Sequence, residues 1–81
     1  MNITVRLFAG LKCENETMDC YGKNDFKIEI AEKLTLQELL TILGVPTSVA
    51  KIIFVNGLNQ PLTYTLTSGD EVSVFPPVGG G

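Results

Sequence analysis

The sequence predicts an α+β fold: a mixed four- to five-stranded sheet with one main helix packed on one face. Three observations carry that expectation. Segments 3–7, 26–30 and 71–75 alternate apolar and polar residues with period two, the mark of half-buried strands. Between the second and third of these, Leu36, Leu39, Leu40 and Leu43 recur at helical spacing and make one apolar stripe. The chain has 81 residues, enough for one small domain, so all these elements must share a single core.

Each element can be justified in order. Ile3-Thr4-Val5-Arg6-Leu7 is the first strand, and Phe8 to Cys13 is expected to make a short helical turn. Residues 14–24 are polar and include Asn15, Gly22 and Asn24, so they read as a loop. Phe26-Lys27-Ile28-Glu29-Ile30 is the second strand, with Phe26, Ile28 and Ile30 facing inward. Thr35-Leu36-Gln37-Glu38 is a capping box, in which the Thr35 hydroxyl and Glu38 carboxylate satisfy orphan backbone N–H groups at a helix start. Gly44 and Pro46 end that helix. Lys51 to Val55 is rich in β-branched residues and runs into Asn56-Gly57, a strong turn signal. After Pro61, Leu62 to Thr67 is an irregular stretch or a short edge strand. Ser68-Gly69-Asp70 turns the chain into the last strand, with Asp70 placed to bond nearby backbone N–H groups. There Val72 and Val74 share one face and Phe75 points to the other, before Pro76-Pro77 ends the ladder. This order describes the β-grasp, or ubiquitin-like, arrangement, with the first and last strands adjacent at the centre. Residues 1–75 are expected to form that domain, and residues 76–81 an extended flexible tail ending in Gly-Gly.

The composition excludes several functions. A net charge of −3 and a pI near 4.6, with only Arg6 and five scattered lysines, do not make a nucleic-acid surface. No apolar run approaches the roughly 20 residues that span a bilayer, and Met1-Asn2-Ile3-Thr4 does not begin a signal peptide. The expected location is cytoplasmic. The absence of histidine removes Ser-His-Asp and Cys-His catalysis and the commonest transition-metal ligand. Cys13 and Cys20 lack the two further ligands of a structural zinc site, so no metal is expected. In a reducing compartment they are expected as free thiols, with a disulfide or redox role as the alternative. Glu14, Glu16, Asp19, Glu29, Glu32, Glu38, Asp70 and Glu71 read as solvated surface. By itself the chain is not expected to be an enzyme.

The end of the chain is different. Gly79-Gly80-Gly81 puts an α-carboxylate on a segment without side chains, directly behind two prolines. Proline keeps its residues extended, and glycine lets backbone enter a channel too narrow for a Cβ. The carboxylate is ionised at neutral pH and is a poor electrophile until a partner converts it to a mixed anhydride. The bland alternative is a frayed terminus.

Ser68 to Gly81, ending Phe75-Pro76-Pro77-Val78-Gly79-Gly80-Gly81, resembles the C-terminal signature of the MoaD/ThiS sulfur-carrier family. The Phe-Pro-Pro-Val version most resembles the MoaD branch, the small subunits of molybdopterin synthase. Val5-Arg6-Leu7-Phe8-Ala9 and Phe54-Val55-Asn56-Gly57 match the family's first and middle strands. The loop from Glu14 to Asn24 departs most, and Gly79 stands where many relatives carry another small residue.

The resemblance implies a mechanism. A MoeB-type enzyme uses ATP to adenylate the Gly81 carboxylate, and a persulfide-bearing protein donates sulfur. Gly81 then carries a thiocarboxylate, a 1-thioglycine, and Gly80 gives clearance for threading. The tail enters a MoaE-type large subunit, in an expected heterotetramer, where sulfur passes to a pyranopterin precursor of the molybdenum cofactor. This chain binds no cofactor of its own. Phe75, Pro76, Pro77, Val78 and Gly79 are the expected partner-binding residues, with Phe75 as docking anchor. The alternative for Phe75 is packing under the chain's own loops. Two other functions share the tail chemistry: a carrier for thiamine thiazole or cysteine/homocysteine synthesis, and a ubiquitin-like modifier joined to a target lysine.

Overall fold

In a computed structural model, residues 1–50 and 52–77 are described, and they form one five-stranded sheet with one helix. The strands are β1 (Asn2–Leu7), β2 (Asp25–Glu29), β3 (Ile52–Val55), β4 (Leu58–Asn59) and β5 (Glu71–Phe75), and the helix is α1 (Leu36–Leu43). The sheet order is β2-β1-β5-β3-β4. β1 and β5 are central and parallel, with Val5 opposite Val72 and Leu7 opposite Val74. Every other pairing is antiparallel. This is the ubiquitin-like β-grasp arrangement that the order of elements predicts.

The period-two pattern sets the two faces. Ile3, Val5 and Leu7 of β1, Ile53 and Val55 of β3, and Val72 and Val74 of β5 are all buried. Leu36, Leu39, Leu40 and Leu43 present the opposing surface, each fully buried. Full burial of one such side chain stabilises by roughly 1.5–3 kcal/mol, so this two-layer core dominates the fold. The capping box forms as the sequence requires: Thr35 Oγ1 accepts from the Glu38 N–H at 3.2 Å, and the Thr35 N–H donates to Glu38 Oε1 at 3.0 Å. The Thr35 N–H and the Thr35 hydroxyl, both donating to Oε1 at 3.0 Å, hold the Glu38 carboxyl below its ordinary value. At the other end Gly44 is left-handed (φ 74°), and its N–H bonds back to Leu40 and Thr41 carbonyls.

One local expectation fails, and one resolves to the first of its two alternatives. Phe8 to Cys13 is not helical, because Ala9 (φ 56°) and Gly10 (φ 88°) are both left-handed and turn the chain instead. Leu62 to Thr67 is the irregular stretch, and the edge strand is Leu58–Asn59, straight after the Asn56-Gly57 turn. Asn56 (φ 53°) and Gly57 (φ 83°) are both left-handed, the geometry of a two-residue hairpin. Of the 62–67 stretch, Thr65 makes one isolated bridge to Thr35.

Candidate functional site

The tail leaves the domain at the end of β5, and the parallel pairing puts the end of β1 beside it. Alternation sends Phe75 to the open face of the sheet, away from α1. There it is half-buried. Phe8, the first residue after β1, stacks on it with ring centroids 4.5 Å apart and planes 7° apart. Phe54 of β3 meets it edge-on, at 5.9 Å and 87°. The Phe8 N–H donates to the Val74 carbonyl at 3.0 Å, which extends the β1–β5 ladder and fixes the stack. Ile52, directly opposite Phe75 in the β3–β5 register, adds a further exposed apolar side chain. The result is a small apolar patch at the root of the tail.

The expectation for Phe75 thus resolves into neither a bare anchor nor a residue hidden under loops. It is the middle ring of three. Phe8 and Phe54 were absent from the expected site, yet period two reaches both of them. Thr4, Arg6 and Phe8 alternate with buried Ile3, Val5 and Leu7, and Phe54 lies between buried Ile53 and Val55. Pro76 is half-buried and Pro77 exposed, so the chain begins to leave the surface there. Val78, Gly79, Gly80 and Gly81 lie outside the described residues.

Charge flanks the patch without entering it. Arg6 reaches Glu71 at 3.3 Å and Asp25 at 3.9 Å, both exposed pairs. Pairs of this kind contribute about 0–1 kcal/mol and keep that side of the face polar.

At the opposite end of β5, Asp70 departs from the solvated reading: it is buried and fully engaged, because the turns on either side of it supply donors. It accepts from the Thr67 N–H (2.9 Å), Asn56 Nδ2 (2.9 Å), Thr67 Oγ1 (3.1 Å) and Tyr64 OH (3.4 Å). Burial pushes its carboxyl up, but the donors from Thr67, Asn56 and Tyr64 together outweigh this and hold it below its ordinary value. Asn56 completes the lock by accepting the Glu71 N–H at 2.9 Å. With every acceptor committed, this carboxylate ties turns together and has no lone pair free for acid–base work.

Cys13 and Cys20 carry free thiols, both buried, with sulfur atoms 3.0 Å apart. Among the described residues no group of three or more His, Cys, Asp or Glu converges on a metal position. No helix among them is long and apolar enough to cross a membrane.

Comparison with solved structures places this arrangement among known folds. SAMP1 from Haloferax volcanii superimposes with a TM-score of 0.67 at 21% identity, over all of both chains. A second structure of H. volcanii small archaeal modifier protein 1 gives 0.66 at 19%, over 95% of this chain and 98% of that one. A chain of the complex between subunits 1 and 2 of molybdopterin-converting factor from Helicobacter pylori 26695 gives 0.61 at 26%, again over all of both chains. None of the curated proteins compared with the chain matches it. The model of the ThiS family matches residues 5–81, from the first strand through the terminal glycines, and the chain belongs to that family of ubiquitin-like sulfur carriers.

Proposed function

We propose that this sulfur carrier serves molybdopterin synthesis, as the small subunit of molybdopterin synthase. The observation that carries the reading is the apolar patch of Phe8, Phe54 and Phe75 at the root of a Pro76-Pro77-Val78-Gly79-Gly80-Gly81 tail. A full-length likeness at 26% identity to a chain of the H. pylori molybdopterin-converting factor complex supports it. In that complex two subunits associate, and by analogy the patch here docks a MoaE-type large subunit.

The chemistry belongs to the terminal carbonyl. A MoeB-type partner lets the Gly81 carboxylate attack the α-phosphorus of ATP, and pyrophosphate leaves. The terminal sulfur of a protein persulfide then attacks the acyl carbon, and AMP leaves. A thiol cleaves the resulting S–S bond and leaves the thiocarboxylate on Gly81. Gly80 and Gly79 keep the approach free of side chains, while Phe75, Pro76, Pro77 and Val78 hold the carrier on its partner. Tethering the sulfur to a docked domain turns a bimolecular encounter into a local one, the main catalytic contribution such a chain makes.

The test is the intact mass of the protein recovered from its own cells, with the proteins that co-purify. A gain equal to one oxygen replaced by sulfur, with a MoaE-type subunit bound, supports the reading. Lysine-linked conjugates would make the chain a modifier, and a thiazole-synthase partner would move it to thiamine synthesis.

A further inference from the structure

Two sulfur atoms meet in the core at a place the carrier chemistry does not use. Cys13 is fully buried and Cys20 is 4% exposed. The Cys20 S–H points at Cys13 Sγ across 3.0 Å. A disulfide is about 2.05 Å long, so the sulfurs need to close by only about 1 Å. The backbone between them is already closed. Gly22 N–H donates to the Cys13 carbonyl (2.8 Å), Cys13 N–H to Lys23 (2.9 Å), and Lys23 N–H to Cys20 (2.8 Å). The loop is also pinned to the end of α1, by Glu14 N–H to the Leu43 carbonyl (2.8 Å) and Asn15 Nδ2 to that of Ile42 (2.6 Å).

One of the two thiols has a route to solvent. Cys20 lines an open groove of about 400 Å³, together with Met18, Asp19, Lys23, Lys27 and Glu29. Two cations and two anions balance there, which suits a small neutral reactant better than an ionic one.

We propose that Cys13 and Cys20 are a redox-convertible pair, oxidised to an intramolecular disulfide by a hydroperoxide that reaches Cys20 through this groove. The Cys20 thiolate attacks one peroxide oxygen, the O–O bond breaks, and the departing hydroxide takes up the thiol's proton to become water. The sulfur is left as a sulfenic acid. Cys13 Sγ then attacks it, the S–S bond forms, and the sulfenic oxygen leaves as a second water with the Cys13 proton. The two sulfurs lose two electrons in all, and the peroxide oxygens gain them. Burial pushes the Cys20 thiol up to about 12, and its hydrogen bond to Cys13 adds to the rise. Little thiolate therefore exists at neutral pH, and the folded protein reacts slowly, with sustained rather than brief exposure. The product is a β1–β2 loop held covalently at the same end of the sheet as Phe75, since that loop begins at Phe8.

Peptide mass decides the matter. The full-length chain is treated with hydrogen peroxide, alkylated under denaturing conditions and cut with trypsin. Lys12 and Lys23 flank both cysteines, so they fall in one fragment, residues 13–23. That fragment is expected lighter by two hydrogens, without alkyl groups, and restored by a phosphine reductant. The thermal midpoint of the oxidised protein should rise by roughly 5 °C or more. In Cys13→Ala the same treatment should add oxygen to Cys20 instead. Fragmentation separates oxygen on the cysteines from sulfoxide on Met18, which lies in the same fragment. A wild-type fragment that carries two alkyl groups, gains oxygen on a cysteine or links two chains overturns the proposal, whether or not the variant folds. An intramolecular link without a rise in midpoint overturns the stiffening of the loop.

Discussion

Removing the Phe75 ring would leave Phe8 without its stacking partner and Phe54 without its edge contact. The ring is half-buried on the open face, whereas the core beneath is closed by Val72 and Val74. Phe75→Ala is therefore expected to stay folded. If the patch is the docking surface, its affinity for the activating enzyme and the large subunit should fall by about tenfold or more, as for a central aromatic anchor. Titration calorimetry with each partner would show this, and unchanged affinity in a folded variant would remove Phe75 from the interface. Asp70 makes a prediction about pH. Its carboxyl is held below the ordinary 3.8, so the stability it contributes is complete above that value. It drains away as pH falls further, through the lower folded value. Asp70→Asn places an amide among donors from Thr67 and Asn56 and should cost about 1.5–3 kcal/mol at pH 7. In urea unfolding the gap between variant and parent should narrow as the medium is acidified below that range. A gap that stays constant down to strong acid would mean the carboxylate is not the source.

At the scale of elements, the junction between α1 and the β1–β2 loop is closely packed. A Cβ on Gly44 would lie 3.2 Å from the Glu14 carbonyl carbon and 3.3 Å from the Asn15 nitrogen, on a backbone with φ 74°. Gly44→Ala combines left-handed strain with that crowding, and a loss of about 2 kcal/mol is expected by denaturant unfolding. A loss below about 0.5 kcal/mol would mean that the loop yields freely. The same seam shows what sequence reveals and what it hides. The capping box, the leucine stripe and Gly44 were legible because helix ends and faces are specified by neighbours three or four residues away. Asn56-Gly57 was legible as a turn for a similar local reason. β4 was not, because a strand of two residues has no alternation to detect, and its position depends on pairing with β3. Ala9 gave no warning either: nothing in its side chain favours a left-handed backbone, yet it sits exposed in the turn that the Leu11 N–H closes on the Phe8 carbonyl. In the site, the sequence names the tail residue by residue, with Val78 to Gly81 outside the described residues, but it does not assemble the patch. Phe8, Phe54 and Phe75 are 46 and 21 residues apart in order, and only sheet register brings them together.

For the whole molecule, the domain and its tail divide the labour. On the proposed function, the domain supplies a surface that a partner holds and the tail supplies reach. If the Gly81 carbonyl must meet a fixed catalytic position, adding one residue after it moves the reacting carbon by about 3.3–3.6 Å. Such an extended chain should unfold at the parent's temperature and yet fail to support pyrophosphate exchange with the activating enzyme. Continued exchange would separate this chain from the carrier mechanism. The central pairing has a further consequence, a mechanical one. β1 and β5 run parallel, so the start of β1 and the tail leave the sheet at opposite ends of the same ladder. A pull on the tail, resisted at the N-terminal end, loads the β1–β5 hydrogen bonds together in shear instead of peeling them one at a time. A partner that draws in the tail therefore loads this ladder in shear only when the domain is held at the start of β1, and a grip on the patch beside Phe75 spares it.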